Sequence, residues 1–450
     1  MSARGPWGAY GVMLAVLVLA GGLLGASRAE AGMMSSCDEP VVFPEAALNV
    51  VVLPYKADRA VGRPLGGPAR VLGLLLQLNS LLTLGRYGSL GTVYLHSPRE
   101  DGGDCSEELV EDQLLNKKPG AGAVVQPGKA LILLWGRIYQ EGPDIYLQSY
   151  LRFLQRGRVD GAEHLLPRLR PSDGGAFRAR TPMQQVAFPP RRLSEKDLLQ
   201  ILAEFKKASK IYDSPDVQSP SKPLPVESNS PVAFVVDRVQ GGWLQVSGEG
   251  IGHGKWLKAR IDPRDWPLQR RMPELDFLDA AAGYLQYRVA AAGPGRPAEA
   301  IPRWVEESLD RYGKAGPASP VPEALGKVLL GNLRMLTGHP ETAEPLYHQA
   351  AGLLPYSADA RNLELVARAA RSQGDIPEKL LEDAWLGALA LEPANLDVLD
   401  NLKALYGFQL LGQFQRLPVE IRDKLKAVER VRAGILEKRP PEFGMPPAPP

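Results

Sequence analysis

The residues that could do chemistry in this chain are few and far apart. Its five histidines stand at His96, His164, His253, His339 and His348. Only His339 and His348 share a segment, and at nine residues apart they miss the i, i+4 spacing that puts two metal ligands on one helical face. Gly88-Ser89-Leu90-Gly91 lacks the leading glycine of a Gly-x-Ser-x-Gly nucleophile elbow. The stretch from Gly248 to Lys255 imitates a phosphate loop, but Glu249 stands where its first glycine belongs and Trp256 where a Ser or Thr would reach magnesium. Acidic residues are plentiful, yet no spacing pairs two of them across a cleft. The expectation is a chain with no catalytic residue, no metal ligand and no cofactor, whose chemistry is non-covalent contact.

Charge provides the denser signal. Between Leu151 and Arg192 lie Arg152, Arg156, Arg158, Arg168, Arg170, Arg178, Arg180, Arg191 and Arg192, no lysine, and only Asp160, Glu163 and Asp173 against them. Guanidinium forks match phosphate and carboxylate oxygens, so anionic lipid heads or wall polymers are the expected targets; a solvated surface balanced by acids elsewhere is the other reading. Over the whole chain 53 Lys+Arg meet 51 Asp+Glu for a net charge of +2. That balance excludes a surface built throughout to grip nucleic acid.

The elements that must position these residues fill 450 positions and 48.9 kDa, room for several domains. At 44% hydrophobic and 23% charged, the composition excludes wholesale disorder and a polytopic membrane protein. Arg4, the apolar run Val12 to Leu24 and the small-residue triplet Ala29-Glu30-Ala31 form the pattern of a secretory signal peptide over residues 1–31, cleaved before Gly32. An uncleaved anchor and lipidation at Cys37 are the competing readings. No later stretch is long and apolar enough to span a bilayer. In an oxidising compartment Cys37 and Cys105 would form one disulfide, contributing about 4 kcal/mol in the chain-entropy picture; two free thiols are the alternative.

Residues 32–212 alternate strands and helices, an α/β module. Asn49 to Tyr55 is a β-branched run of a strand buried on both faces, and Ala69 to Leu84 is a long apolar helix. A strand near Thr92 to His96 and a helix from Ser106 follow. Ala130 to Tyr139, the turn Glu141-Gly142-Pro143-Asp144 and Ile145 to Phe153 read as a hairpin. Val186-Ala187-Phe188 is a last strand, and Ser194 to Asp197 caps a helix running to about Tyr212. Val51-Val52-Leu53-Pro54-Tyr55 and Leu134-Trp135-Gly136-Arg137-Ile138 resemble the α/β domain that precedes the propeller of the Tol translocation protein, which implies a partner-binding module; the first helix departs from that pattern by being too apolar.

Residues 213–230 are Pro- and Ser-rich and read as an extended linker. In residues 231–265, Val232 to Val236, Gly241-Gly242-Trp243-Leu244 and Gly254-Lys255-Trp256-Leu257 are short strands between glycine turns. They resemble a small bacterial SH3-like barrel, in which Trp243 and Trp256 are core residues or line a groove for cell-wall peptides or protein partners.

From residue 273 to 437 the period becomes helical. Leu275, Leu278, Ala282, Leu285 and Val289 mark one helix and Ile301, Trp304, Val305, Leu309 and Tyr312 the next. Gly331, Gly338, Ala343, Tyr347, Ala350 and Pro355 then resemble a tetratricopeptide repeat, and Gly374, Trp385, Ala388 and Pro393 a looser copy with insertions. Asn401-Leu402 and Tyr406 begin a third unit, and Ile421, Leu425, Val428, Val431 and Ile435 line a capping helix. Residues 438–450 form a disordered Pro-rich tail. The fold class expected is multi-domain: α/β, a small β-barrel and an all-α repeat. The function expected is a non-catalytic exported adaptor of the bacterial cell envelope, holding protein partners on its helical repeats, with peptidoglycan or anionic envelope polymers as further partners and no nucleic acid. The alternative is a peptidoglycan-associated hydrolase or a regulator of cell-wall enzymes.

Overall fold

The computed structural model describes residues 43, 46–53, 55–57, 66–94, 130–141, 144–155, 185–224, 232–248, 251–260, 267–292, 297–316, 319–372, 377–412 and 419–438. The signal peptide, Cys37, Cys105, the helix expected from Ser106, Gly374 and the Pro-rich tail lie outside them.

The β-branched run after Ala47 forms β1 (Leu48–Val52), buried along its whole length. It lies between two parallel neighbours, β3 (Leu90–Tyr94) and β4 (Ala130–Glu141). The two-residue β2 (Lys56–Ala57) also runs parallel to β4. The expected hairpin is present: β4 pairs antiparallel with β5 (Asp144–Gln155) from Ala130↔Gln155 to Glu141↔Asp144. Outside it run β6 (Gln185–Ala187) and β7 (Arg191–Arg192), both antiparallel to β5.

Helix α1 (Gly66–Leu84) connects β1 to β3 and packs on both. Its strong apolarity has a simple cause. It is covered on its other side by α2 (Glu195–Ala208) and α4 (Glu274–Ala292), so even Gln77, Asn79, Ser80 and Thr83 are buried. Helix α2 opens with the expected cap as a full capping box between Ser194 and Asp197, but it ends at Ala208 instead of Tyr212. Ser209 is extended, and Lys210–Tyr212 forms β8, which places Ile211 in the core.

The Pro/Ser stretch does not leave the sheet. Of residues 213–230 the described part, 213–224, turns back so that β9 (Ser221–Pro223) pairs with β8. The expected barrel strands also form, as β10 (Val232–Gln240), β11 (Trp243–Gly248) and β12 (Gly252–Lys258). They are no free-standing barrel: β10 pairs antiparallel with β3 and β12 with β8, so all twelve strands form one sheet, β6-β5-β4-β1-β3-β10-β11-β12-β8-β9 along its main path. The physical reason is edge satisfaction, because β3 would otherwise leave a row of unpaired peptide groups that β10 takes up. The phosphate-loop imitation dissolves too, since Gly252 to Lys255 belong to β12.

Beyond the short α3 (Pro267–Arg271), the helical region runs in consecutive pairs: α4 with α5 (Ala300–Ala315), α6 (Pro320–Leu336) with α7 (Pro340–Leu353), α8 (Ala358–Arg371) with α9 (Glu378–Leu391), and α10 (Leu396–Gly412) with α11 (Val419–Lys438). Helix α4 is the junction, packing on α1, β1 and β4 on one side and on α5 and α6 on the other. Buried side chains form one connected cluster from Leu48 in β1 to Tyr406 in α10, so sheet and helices share a core.

Candidate partner-binding surfaces

Two of the helix pairs, α6–α7 and α8–α9, are joined by an aromatic ring and an asparagine. In α6–α7 the Tyr347 hydroxyl donates to Asn332 Oδ1 at 2.8 Å, and Gly331 makes room for the ring, since a Cβ there would lie 2.5 Å from Tyr347 Cε1. Gly338 ends α6 in the left-handed region, at φ +81°, and opens the turn to α7. In α8–α9 the Trp385 Nε1–H donates to Asn362 Oδ1 at 2.9 Å, and Asn401 Nδ2 of α10 donates to the same oxygen at 2.9 Å. Ala343, Ala350 and Ala388 are fully buried at the crossings, while Pro355 and Pro393 are exposed just past the ends of α7 and α9. Of the described signature positions, Gly331, Ala343, Tyr347, Ala350, Trp385 and Ala388 pack the paired helices, Gly338 makes a turn, and the two prolines lie exposed past helix ends. Val431 departs from expectation: it is 49% exposed, and α11 packs through Ile421, Leu425 and Val428.

Between α5, α6 and α7 lies a cleft of about 400 Å³. Leu309, Gly326, Leu330 and Leu346 give it an apolar lining, Gly313 leaves it open, and Glu306, Asp310 and Glu323 stand in its wall. Tyr312 also lines it; the residue is 7% exposed and its hydroxyl has no hydrogen-bond partner. Its ring is fixed edge-on to Phe188 and Phe277. Burial first, and then the Glu274 carboxylate, push this phenol up to about 12, so it remains a donor. A buried donor without an acceptor costs roughly 1–3 kcal/mol. The hydroxyl is itself sealed from solvent, so what the cleft offers is apolar contact edged by carboxylates, within the size range of ligand sites.

The arginines divide between two environments. Arg191 Nε meets Glu274 Oε2 at 3.0 Å, and Arg191 Nη1 donates to the Arg271 carbonyl at 2.8 Å. Glu274 also accepts from Ser149 Oγ, which in turn accepts from Tyr55. Burial raises the Glu274 carboxyl above its ordinary range against the pull of Arg191. Two more arginines hold α4 in the same way: Arg311 meets Asp276 at 2.9 Å, and Arg86 meets Asp279 at 2.6 Å, with side chains 4% and 1% exposed. Burial works against the Arg86 charge, but Asp279 and Tyr87 raise the guanidinium overall, and it lies over the rings of Tyr87 and Trp304. Neither Arg86 nor Arg311 was visible as a site in the sequence; the acids at Glu274, Asp276 and Asp279, crowded at one helix start, were the available signal. Arg152 and Arg192 lie on the opposite face of the sheet, Arg192 paired with Asp144 at 2.6 Å. Arg156, Arg158, Arg168, Arg170, Arg178 and Arg180 lie outside the described residues.

Trp256 is buried, but on the face of β12 opposite the core residue Leu257, in register with Gln245 and Tyr212; Trp243 is half-buried on that same face and edge-on to Tyr212 at 5.0 Å. His339 meets Glu341 and His348 meets Glu364, separately. Among the described residues no group of His, Cys, Asp and Glu could hold a metal ion, and no helix is long and apolar enough to cross a membrane.

No protein-family model, curated protein or solved structure matches the chain.

Proposed function

We propose that this chain is a non-catalytic adaptor, exported to the bacterial cell envelope, whose helical half holds a segment of a protein partner. The observation that carries the reading is the α5–α6–α7 cleft: an apolar trough beside stacked helix pairs, with Glu306, Asp310 and Glu323 in its wall. A peptide brings an apolar side chain for the trough and cations for the carboxylates Glu306, Asp310 and Glu323 in its wall. The succession of helix pairs, similar to tetratricopeptide repeats in spacing, supports the same reading, as does the likeness of the α/β half to a partner-binding module.

Substituting Gly313→Leu tests it. A Cβ at Gly313 meets nothing within 4 Å, and replacing a helical glycine favours the helix, so the variant folds while its side chain fills the cleft. Crosslinking in cells followed by mass spectrometry should then recover the partner about tenfold less, the loss of ~1.4 kcal/mol of affinity. Recovery of the same partners at the same yield would refute the cleft as the docking site.

A further inference from the structure

The solvent side of the β4–β5 hairpin carries a ladder that nothing above uses. Side chains of an antiparallel pair share a face at every second position, and the register places four rungs on that face: Tyr139↔Tyr146, Arg137↔Gln148, Trp135↔Tyr150 and, at its covered end where Leu133 is buried, Leu133↔Arg152. The alternate positions, Ile138, Leu147, Ser149 and Leu151 among them, are buried on the helix side. Along the strands aromatic pairs and cations therefore alternate. Trp135 and Tyr150 stack at 5.7 Å with an 18° tilt, and Tyr139 and Tyr146 at 5.7 Å with 21°. Between them Arg137 lies over the Tyr139 ring at 4.8 Å and donates from Nε to Gln148 Oε1, which also accepts from the Tyr150 hydroxyl. Gln148 is pinned in turn by donating to the Phe188 carbonyl.

Two features say what this face lacks. Arg137 and Arg152 have no acidic partner among the described residues. Arg152 is half-buried, and that burial alone lowers its guanidinium, so a cation has been partly desolvated with no acid opposite it among the described residues. The two aromatic rungs stand four residues apart on β4, about 13 Å along the strand, which suits an elongated ligand better than a single ring. Each ring has one face against its cross-strand neighbour. Flat sandwiching of nucleobases on these rings is correspondingly hindered, while ring edges, hydroxyls and guanidinium forks remain available to a polymer rich in hydroxyls and carboxylates.

We propose that the β4–β5 face binds an anionic, carboxylate-bearing polysaccharide, with Arg137 and Arg152 taking its carboxylates and the rungs Trp135–Tyr150 and Tyr139–Tyr146 packing against its rings. The site shares no residue with the helical cleft, so either can fail without the other.

Isothermal titration of the full chain with oligogalacturonate, a carboxylated polysaccharide fragment, tests this beside neutral maltohexaose, a thymidine oligonucleotide and phosphatidylglycerol vesicles. Oligogalacturonate should bind, more weakly as salt rises, and maltohexaose should not. The double variant Arg137→Gln/Arg152→Gln should weaken binding about tenfold or more with an unchanged melting temperature, and the corresponding lysine variant should weaken it less, since charge remains but the fork is lost. Trp135→Leu should also reduce affinity. Absence of oligogalacturonate binding, equal affinity in the glutamine double variant, or tighter binding of the oligonucleotide or the vesicles would each overturn the proposal.

Discussion

Arg191 and Arg192 are neighbours on one two-residue strand, and they belong to different parts of the protein's physics. Arg191 turns toward the helices and is committed to Glu274 and the Arg271 carbonyl; Arg192 turns outward, its side chain 73% exposed, to Asp144 on the hairpin. The division extends across the molecule. On the inner side Arg86, Arg191 and Arg311 meet three carboxylates of one helix, α4, and fix it between sheet and repeats. On the outer side Arg137 meets the Tyr139 ring and the Gln148 amide, and neither it nor Arg152 has an acidic partner among the described residues. Inner arginines are structural because their partners come from the same chain and cannot leave. Of the outer ones only Arg192 has an acid, Asp144; Arg137 and Arg152 have none among the described residues, and a strand's alternation decides which side a guanidinium serves.

The comparison breaks most readily at Arg86. Replacing it by leucine leaves Asp279 buried at 1% exposure with two hydroxyls, Tyr87 and Ser308, and the more distant Arg311 as its partners. The expected loss is about 3–5 kcal/mol, the cost of orphaning a buried charge, read as a lower urea midpoint at unchanged slope. A loss below ~1 kcal/mol would show that α4 is not held by its arginines.

Much of this frame was legible in the sequence and some of it was not, for a physical reason. Strand and helix periods are local, so β1, the β4–β5 hairpin, the Ser194 cap and the helices bearing Tyr347 and Trp385 could be read directly. Strand partners are not local. Nothing in Val232 to Val236 says that it will extend a sheet begun near Leu48 instead of closing a barrel, because either arrangement pairs the same peptide groups. The arginine cluster was visible as charge, but the acids that consume Arg191 lie far along the chain in a helix start whose own periodicity reads as ordinary. The asparagines follow the same rule: Gly331-Asn332-Leu333, Arg361-Asn362-Leu363 and Asp400-Asn401-Leu402 recur in the sequence, but only burial shows that Asn362 accepts from two helices at once.

A smaller effect with a distinctive pH signature is expected at Arg191→Leu. Glu274 already has a raised carboxyl because burial outweighs Arg191, and losing the cation raises it further. In the unfolded chain the same group ionises in the ordinary carboxylate range, near 4.3. Above that range the folded state holds more protons than the unfolded one, so stability falls as pH rises. The variant should therefore lie close to the parent near pH 4, where a protonated Glu274 needs no cation, and lose about 2–3 kcal/mol by pH 7.5. Urea unfolding at the two values reads the difference. A loss independent of pH would mean that Arg191 acts through packing and its bond to the Arg271 carbonyl, and the inner side would need only two ion pairs.

The smallest effect sharpens the other side. Arg152→Gln removes a half-buried guanidinium that has no acidic partner among the described residues, so folding loses no ion pair and sheds a desolvated charge. Stability should change by less than ~0.5 kcal/mol, with a slight gain as the expected sign. Thermal unfolding of the variant beside Arg191→Leu at pH 7.5 makes the contrast direct, since both substitutions remove an arginine from strands of the same sheet edge. If Arg152→Gln instead costs more than ~1 kcal/mol, its guanidinium belongs with the structural set, and the outer face loses one of the two cations on which its affinity for a carboxylated polymer depends.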